Sequence, residues 1–219
     1  FADKWNEDAQ NIIEELAGKE KIVAIGEIGL DYFREEEYGK SRDKQKGGFR
    51  KQLELARELD LPVIIHSRDA CEDTLAIMKE YSALRYVMHC YSYTKETAKE
   101  LLNMNCMFGI GGVVTFKNSK KLKEAVEFIP MDKIILETDC PYLAPDPFRG
   151  TRNESGLISY VILPLIFKNG QTLGKKILKL GLANFEGYKF KNKQLIMRIL
   201  PLTVVALSCL IPVWNSIYI

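Results

Sequence analysis

The stretch FRKQLELARELDLPVIIHSRDACEDTLAIMKEYSALRYVMH, Phe49 to His89, decides the fold, because it reads as one unit written twice. An amphipathic helix around Phe49 to Leu59 leads into Leu61-Pro62-Val63-Ile64-Ile65 and stops at His66. A second helix, around Glu72 to Tyr81, leads into Arg85-Tyr86-Val87-Met88 and stops at His89. The apolar runs have no polar alternation, so both faces of each strand are expected to be buried, as in a parallel sheet covered by helices.

The same unit extends in both directions. Upstream, Ala9, Ile12, Ile13 and Leu16 recur at helical spacing between Asn6 and Leu16, and KIVAIGEIGLDY, Lys21 to Tyr32, is a strand opening into a loop. Downstream, a helix from Lys95 to Leu102 precedes the strand Cys106 to Ile110, and a helix from Lys120 to Phe128 precedes the strand Ile134 to Leu136. The reading is α/β, with five strands alternating with helices.

Past Pro141 the alternation ends in a polar loop through Thr151 to Glu154 and an apolar stretch from Leu157 to Phe167. Ile199 to Ile219 is a run of 21 residues without a charge, long enough to span a bilayer. Pro201, Pro212 and Asn215 weigh against a span and for a buried or disordered appendage. The domain reading is 1–190 as the α/β domain and 191–219 as an apolar tail.

With 31 Lys and Arg against 29 Asp and Glu, the formal net charge of +2 gives no dense basic footprint for nucleic acid and does not exclude it. The five cysteines have no C-x-x-C spacing and cannot all pair, which suits a reducing, cytoplasmic compartment. No secretory h-region follows Phe1.

The chemistry lies at the strand ends. His66, His89 and Asp139 each close a strand and Glu27 follows Gly26 in a fourth; in a parallel α/β fold these ends open into one crevice. Imidazole with carboxylate suits Zn²⁺ or Mn²⁺, and a site richer in carboxylate suits Mg²⁺. A bridging Glu27 would make a two-metal centre that activates water for hydrolysis. Asp139, expected to keep a low pKa beside cations, could also take the water's proton.

Each residue has a plainer reading. A single histidine at a strand end is more often a structural hydrogen-bonding group, and Glu27 or Asp139 could be a helix cap or a solvated acid. But His66 and His89 are the only two histidines in the chain, and both fall at strand ends. Arg68 is either an anion clamp or a salt-bridge partner of Asp69, Glu72 or Asp73; Asp31 and Arg34 carry the same ambiguity. Cys90 and Cys140 read as small packing residues. Gly109, Gly111 and Gly112 lack the Lys-Ser/Thr of a phosphate loop and read as points of close backbone approach.

Five blocks in order, IGEIGLDYFR (Ile25 to Arg34), PVIIHSRDACEDT (Pro62 to Thr74), MHCYSYT (Met88 to Thr94), GGVVTFKNSKKL (Gly111 to Leu122) and ILETDCPYLAPDPFRGTRNE (Ile135 to Glu154), resemble the TatD family of metal-dependent deoxyribonucleases. The resemblance is clearest over 24–154. It implies a TIM-type (β/α) barrel, of which about five of eight units are present, and hydrolysis of DNA phosphodiesters with divalent ions, two of them, Mg, Mn or Zn. It matches Glu27 to the bridging metal ligand, His66 and His89 to ligands on later strands, and Asp139 to the aspartate that binds metal and helps activate water. Arg68 and Arg149 fall at motif positions near the pocket and are expected to bind substrate.

The departures shape the expectation. No His-x-His pair occurs anywhere in the chain, Gly47 and Gly48 interrupt a helix, and Tyr93 stands where a glycine is usual. Thr172 to Phe190 only faintly resembles the family's closing helices. The leading expectation is a DNase lacking its N-terminal units; the alternative is a non-catalytic, truncated or degenerate copy, held on a membrane by its C-terminal apolar run. A third is a hydrolase of the same barrel type acting on another substrate.

Overall fold

The computed structural model describes residues 5–17, 19, 21–33, 39 and 41–166. Two compact units divide the chain, Phe1–Ile162 and Leu163–Ile219; the sheet and every residue of the candidate site belong to the first. The expected boundary at 190/191, the run 199–219 and Arg34 lie outside the described residues.

The strands are β1 (Ile25–Asp31), β2 (Val63–Arg68), β3 (Tyr86–Met88), β4 (Met107–Ile110) and β5 (Ile134–Leu136). The helices are α1 (Glu7–Ala17), α2 (Arg42–Glu58), α3 (Cys71–Glu80), α4 (Lys95–Asn103), α5 (Lys120–Phe128) and α6 (Ile158–Ile166). The sheet runs in the order β1-β2-β3-β4-β5 with every pair parallel. Sequential order with a helix between successive strands is the pattern of a singly wound barrel wall, five strands of it, rather than of a doubly wound sheet, in which the order reverses.

The apolar runs behave as their composition dictates. Val63, Ile65, Tyr86, Met88, Phe108 and Ile110 are buried in the sheet, and Phe49, Leu53, Ala56, Ile77, Met78, Leu101, Leu122 and Ala125 pack from the helices. The alternation that remains on β2 is informative: Val63 and Ile65 are buried, while Ile64, His66 and Arg68 share the opposite, more open face. That face carries the polar residues toward the mouth of the sheet.

Two boundaries differ from the sequence expectation. Helix α2 starts at Arg42 rather than near Phe49 and runs straight through Gly47 and Gly48. Glycine opposes helix, but Ser41 caps the N-terminus by accepting from Lys44 N at 3.4 Å, and Gln45, Gly48 and Phe49 are buried, so packing outweighs propensity. Strand β2 continues to Arg68 instead of stopping at His66, because its partner β1 extends to Asp31, which pairs with Arg68.

Candidate metal centre

The four strand-end residues come together. Glu27 lies inside β1, at the register irregularity between Ile25 and Ile28, and its Oε1 shares a 2.8 Å hydrogen bond with His66 Nδ1. The same oxygen is 3.5 Å from His89 Nε2. On the other side of that nitrogen, Asp139 Oδ1 is 3.3 Å away. Asp139 has φ 55, a left-handed conformation that aspartate tolerates better than most side chains. Four residues separated by up to 112 positions in sequence thus form one cluster, Glu27 and His66 from within the parallel strands β1 and β2, His89 directly after β3 and Asp139 three residues after β5.

Two further carboxylates lie against the cluster: Glu137, to which the sequence reading gave no role, and Asp31, whose role it left open. Glu137 Oε2 accepts from His89 Nδ1 at 2.9 Å, while its Oε1 accepts from Cys90 N at 2.7 Å. This holds the His89 ring with Nδ1 on Glu137 and Nε2 turned toward Glu27 and Asp139, the orientation in which a histidine ligates a metal while a carboxylate holds its other nitrogen. Asp31, buried at the end of β1, has its Oδ2 3.7 Å from His66 Nε2. The one sequence signal for Glu137 was its place two residues before Asp139 in the ETD run.

The charges respond to this packing. The hydrogen bond to Glu137 pushes His89 up to about 9 against the desolvation that opposes it. His66, chiefly through its hydrogen bond, holds the Glu27 carboxyl below its ordinary value. Asp139 goes the other way: burial raises it, ahead of the lowering by His89. The low value expected for Asp139 beside cations is therefore not produced by the chain's own residues, and would need the cations themselves.

The donor set suits a divalent ion in type and in pairwise spacing. Neighbouring donors around a tetrahedral ion with bonds of about 2.0 to 2.1 Å lie about 3.3 Å apart, close to the two spacings at His89 Nε2 of 3.3 and 3.5 Å. Closure is another matter. Among the described residues, no group of three or more His, Cys, Asp or Glu side chains surrounds one point as metal ligands do. Glu27 Oε1 is hydrogen-bonded to His66 instead of standing beside it around a shared centre.

Both arginines expected to bind substrate have the guanidinium carbon over a phenylalanine ring. Arg68 Cζ is 3.6 Å from the centroid of the Phe33 ring, and Arg149 Cζ is 4.1 Å from that of Phe116. Of the acids considered as partners of Arg68, Asp73 is engaged by Lys46 at 2.7 Å and by the Tyr32 hydroxyl at 2.7 Å. Two of the three glycines are the close approaches expected: a Cβ at Gly109, within β4, would overlap Glu137 Oε2, and one at Gly112 would overlap the Leu143 carbonyl oxygen, whereas one at Gly111 would make ordinary contact, 3.6 Å from Glu137 Cγ. Tyr93, in the place of a glycine, joins a hydroxyl chain, its OH 2.8 Å from Ser67 Oγ, which is 2.9 Å from Thr74 Oγ1.

Comparison with known proteins places these features in context. The family model of the TatD related DNases matches residues 1–176. An uncharacterized metal-dependent hydrolase, YabD of Bacillus subtilis, is 51% identical over 152 residues, covering 68% of this chain and 58% of its own. The protein named 3'-5' ssDNA/RNA exonuclease TatD of a Pantoea species is 33% identical over 186 residues, covering 80% of this chain and 70% of its own. Among solved structures, YjjV, a TatD homologue from Escherichia coli K12, superposes with a TM-score of 0.67 at 27% identity, over 74% of this chain and 62% of that one. A hydrolase of the TatD family from Entamoeba histolytica gives 0.66 at 23% identity, over 80% and 65%, a likeness of fold. The chain spans little more than half the length of the metal-dependent hydrolases YabD, 58%, and YcfH of Escherichia coli K12, 55%, that it matches.

Proposed function

Since the chain belongs to the TatD related DNase family, we propose that it carries the strand-end half of a divalent-metal hydrolase centre whose substrate is the phosphodiester backbone of DNA. One observation supports this reading above the others: His89, locked through Nδ1 by Glu137, faces both Glu27 and Asp139 with Nε2. In this reading Glu27, His66, His89 and Asp139 would hold the divalent ions, two of them, Mg, Mn or Zn. Bound there, the ions supply an activated water and charge neutralisation at the leaving oxygen.

The chain's own residues do the rest. Asp139, 3.3 Å from His89 Nε2, is the carboxylate placed to take the proton of the attacking water. Arg68 and Arg149 hold the phosphate through planar, two-pronged donation. The name of the Pantoea relative, 3'-5' ssDNA/RNA exonuclease, makes a single strand the first substrate to test. The free cysteines among the described residues, Cys71, Cys90, Cys106 and Cys140, accord with a reducing, cytoplasmic location.

A second reading, a non-catalytic member of the family, is favoured by one observation, the lack of three converging ligands among the described residues. Among the described residues no helix is long and apolar enough to cross a bilayer; the run 199–219, on which its membrane-held form rests, lies outside them. End-labelled single-stranded DNA incubated with the purified chain and Mg²⁺, Mn²⁺ or Zn²⁺ separates the two. The hydrolase reading expects cleavage that is abolished by chelator, by Glu27→Ala and by Asp139→Ala; no cleavage sensitive to those substitutions with any of the metals leaves the non-catalytic reading standing.

A further inference from the structure

Arg68 belongs to the same open face of β2 as His66, two residues beyond it. A long side chain in such a mouth would ordinarily sample many rotamers, and the ordering of that freedom weakens any anion it binds. Here its guanidinium lies over the Phe33 ring at 3.6 Å. Phe33 in turn is tethered by three links. Its own N–H donates to Asp31 Oδ1 at 2.9 Å. The Asp31 backbone is held at both ends by the fully buried Gln45 side chain, whose Oε1 accepts from Asp31 N at 2.8 Å and whose Nε2 donates to Asp31 O at 2.9 Å. Between them, Tyr32 N donates to the Arg68 carbonyl at 2.9 Å, which registers the platform against the arginine it carries.

We infer that Phe33 is a positioning residue for phosphate binding: it fixes the plane of the Arg68 guanidinium so that the N–H edge is presented to the substrate's backbone beside His66. Gln45, at the buried side of α2, anchors the platform through Asp31. The inference rests on the reading of Arg68 as a phosphate clamp. It adds a residue with no hydrogen-bonding or charged group to the determinants of affinity, and predicts that the loop after β1 is constrained in sequence by an arginine on β2.

The test uses the full chain and a fluorescein-labelled, phosphorothioate-linked oligothymidine read by anisotropy. An exposed cation-π contact is worth about two- to fivefold in affinity. Phe33→Leu, which keeps an apolar side chain and removes the ring face, should weaken binding by that factor, and Phe33→Tyr should bind as the wild type does. In an Arg68→Met background the Phe33→Leu substitution should add nothing, because no cation remains over the ring. Independently of any ligand, the Arg68 Nε proton should show an upfield ring-current shift in the wild type and Phe33→Tyr that Phe33→Leu loses, with melting temperatures reporting whether each variant is folded. A Phe33→Leu loss that persists unchanged in the Arg68→Met background, or no loss at all, overturns the inference. Failure of the folded wild type to bind the oligonucleotide, with the ring-current shift present, overturns the functional reading and the role in binding with it.

Discussion

Glu137 accepts a 2.9 Å hydrogen bond from His89 Nδ1, and the pair sets the protonation of the site. With its pKa raised to about 9 by that bond, above about 6.5 in the unfolded chain, His89 contributes stability that is fully present below pH 6.5 and lost as pH rises through 9. In chelator-treated protein the two histidines give two imidazole resonances, and one should titrate near 9. Glu137→Gln should bring that midpoint down toward the ordinary range. A His89 midpoint near 6.5 would show that the Glu137 contact does not govern it.

Gln45 is fully buried and spends its amide on the main chain of Asp31. Gln45→Ala leaves a donor and an acceptor without partners in the interior, at about 2 to 4 kcal/mol for the two groups. The loss should appear as a lower midpoint in urea denaturation with an unchanged slope. A change under about 0.5 kcal/mol would mean that water replaces the amide there.

The sheet and the four clustered residues were legible in the sequence, for a local reason: strands buried on both faces are written as apolar runs, and the polar residue that ends a run marks the rim. What was not legible depends on partners far away in the chain. Glu137 acquires its role from His89, 48 residues distant, and Gln45 acquires its role from backbone atoms, which carry no sequence signature. Arg68 had acidic neighbours in sequence, yet its contact is Phe33, brought alongside by the β1–β2 pairing. The start of α2 was hidden by Gly47 and Gly48, whose low helix propensity is a local signal outweighed by burial and by the Ser41 cap.

Those glycines set up a prediction of opposite signs. Gly47 lies inside α2 with nothing within 4 Å of where a Cβ would stand. Gly47→Ala should therefore stabilise the protein by about 0.5 to 1 kcal/mol, the difference in helix preference. Gly29 has φ +142 and pairs with His66, and an added Cβ would overlap the His66 carbonyl oxygen, a backbone atom that cannot swing aside. Gly29→Ala should cost at least about 3 kcal/mol from strain and overpacking together and open the β1–β2 pairing beneath Glu27 and His66. Melting temperatures moving in the same direction for both variants would contradict this account.

Thiol chemistry offers a last check on where the core lies. Cys106 opens the segment leading into β4, is fully buried, and donates its S–H to the Met107 carbonyl at 3.1 Å. Desolvation pushes its pKa up to about 12, so at pH 8 only about one molecule in ten thousand carries the thiolate, the form that reacts. Cys140, beside Asp139 on the rim, is exposed. Iodoacetamide at pH 8 should therefore alkylate Cys140 in the native protein and leave Cys106 intact, with Cys106 labelling only when urea unfolds the sheet. Raising the pH to 9 increases the Cys106 thiolate tenfold but leaves it rare and enclosed, so the order should hold. Peptide mapping that finds Cys106 modified as fast as Cys140 before unfolding would show that the segment entering β4 is not packed as the structure has it.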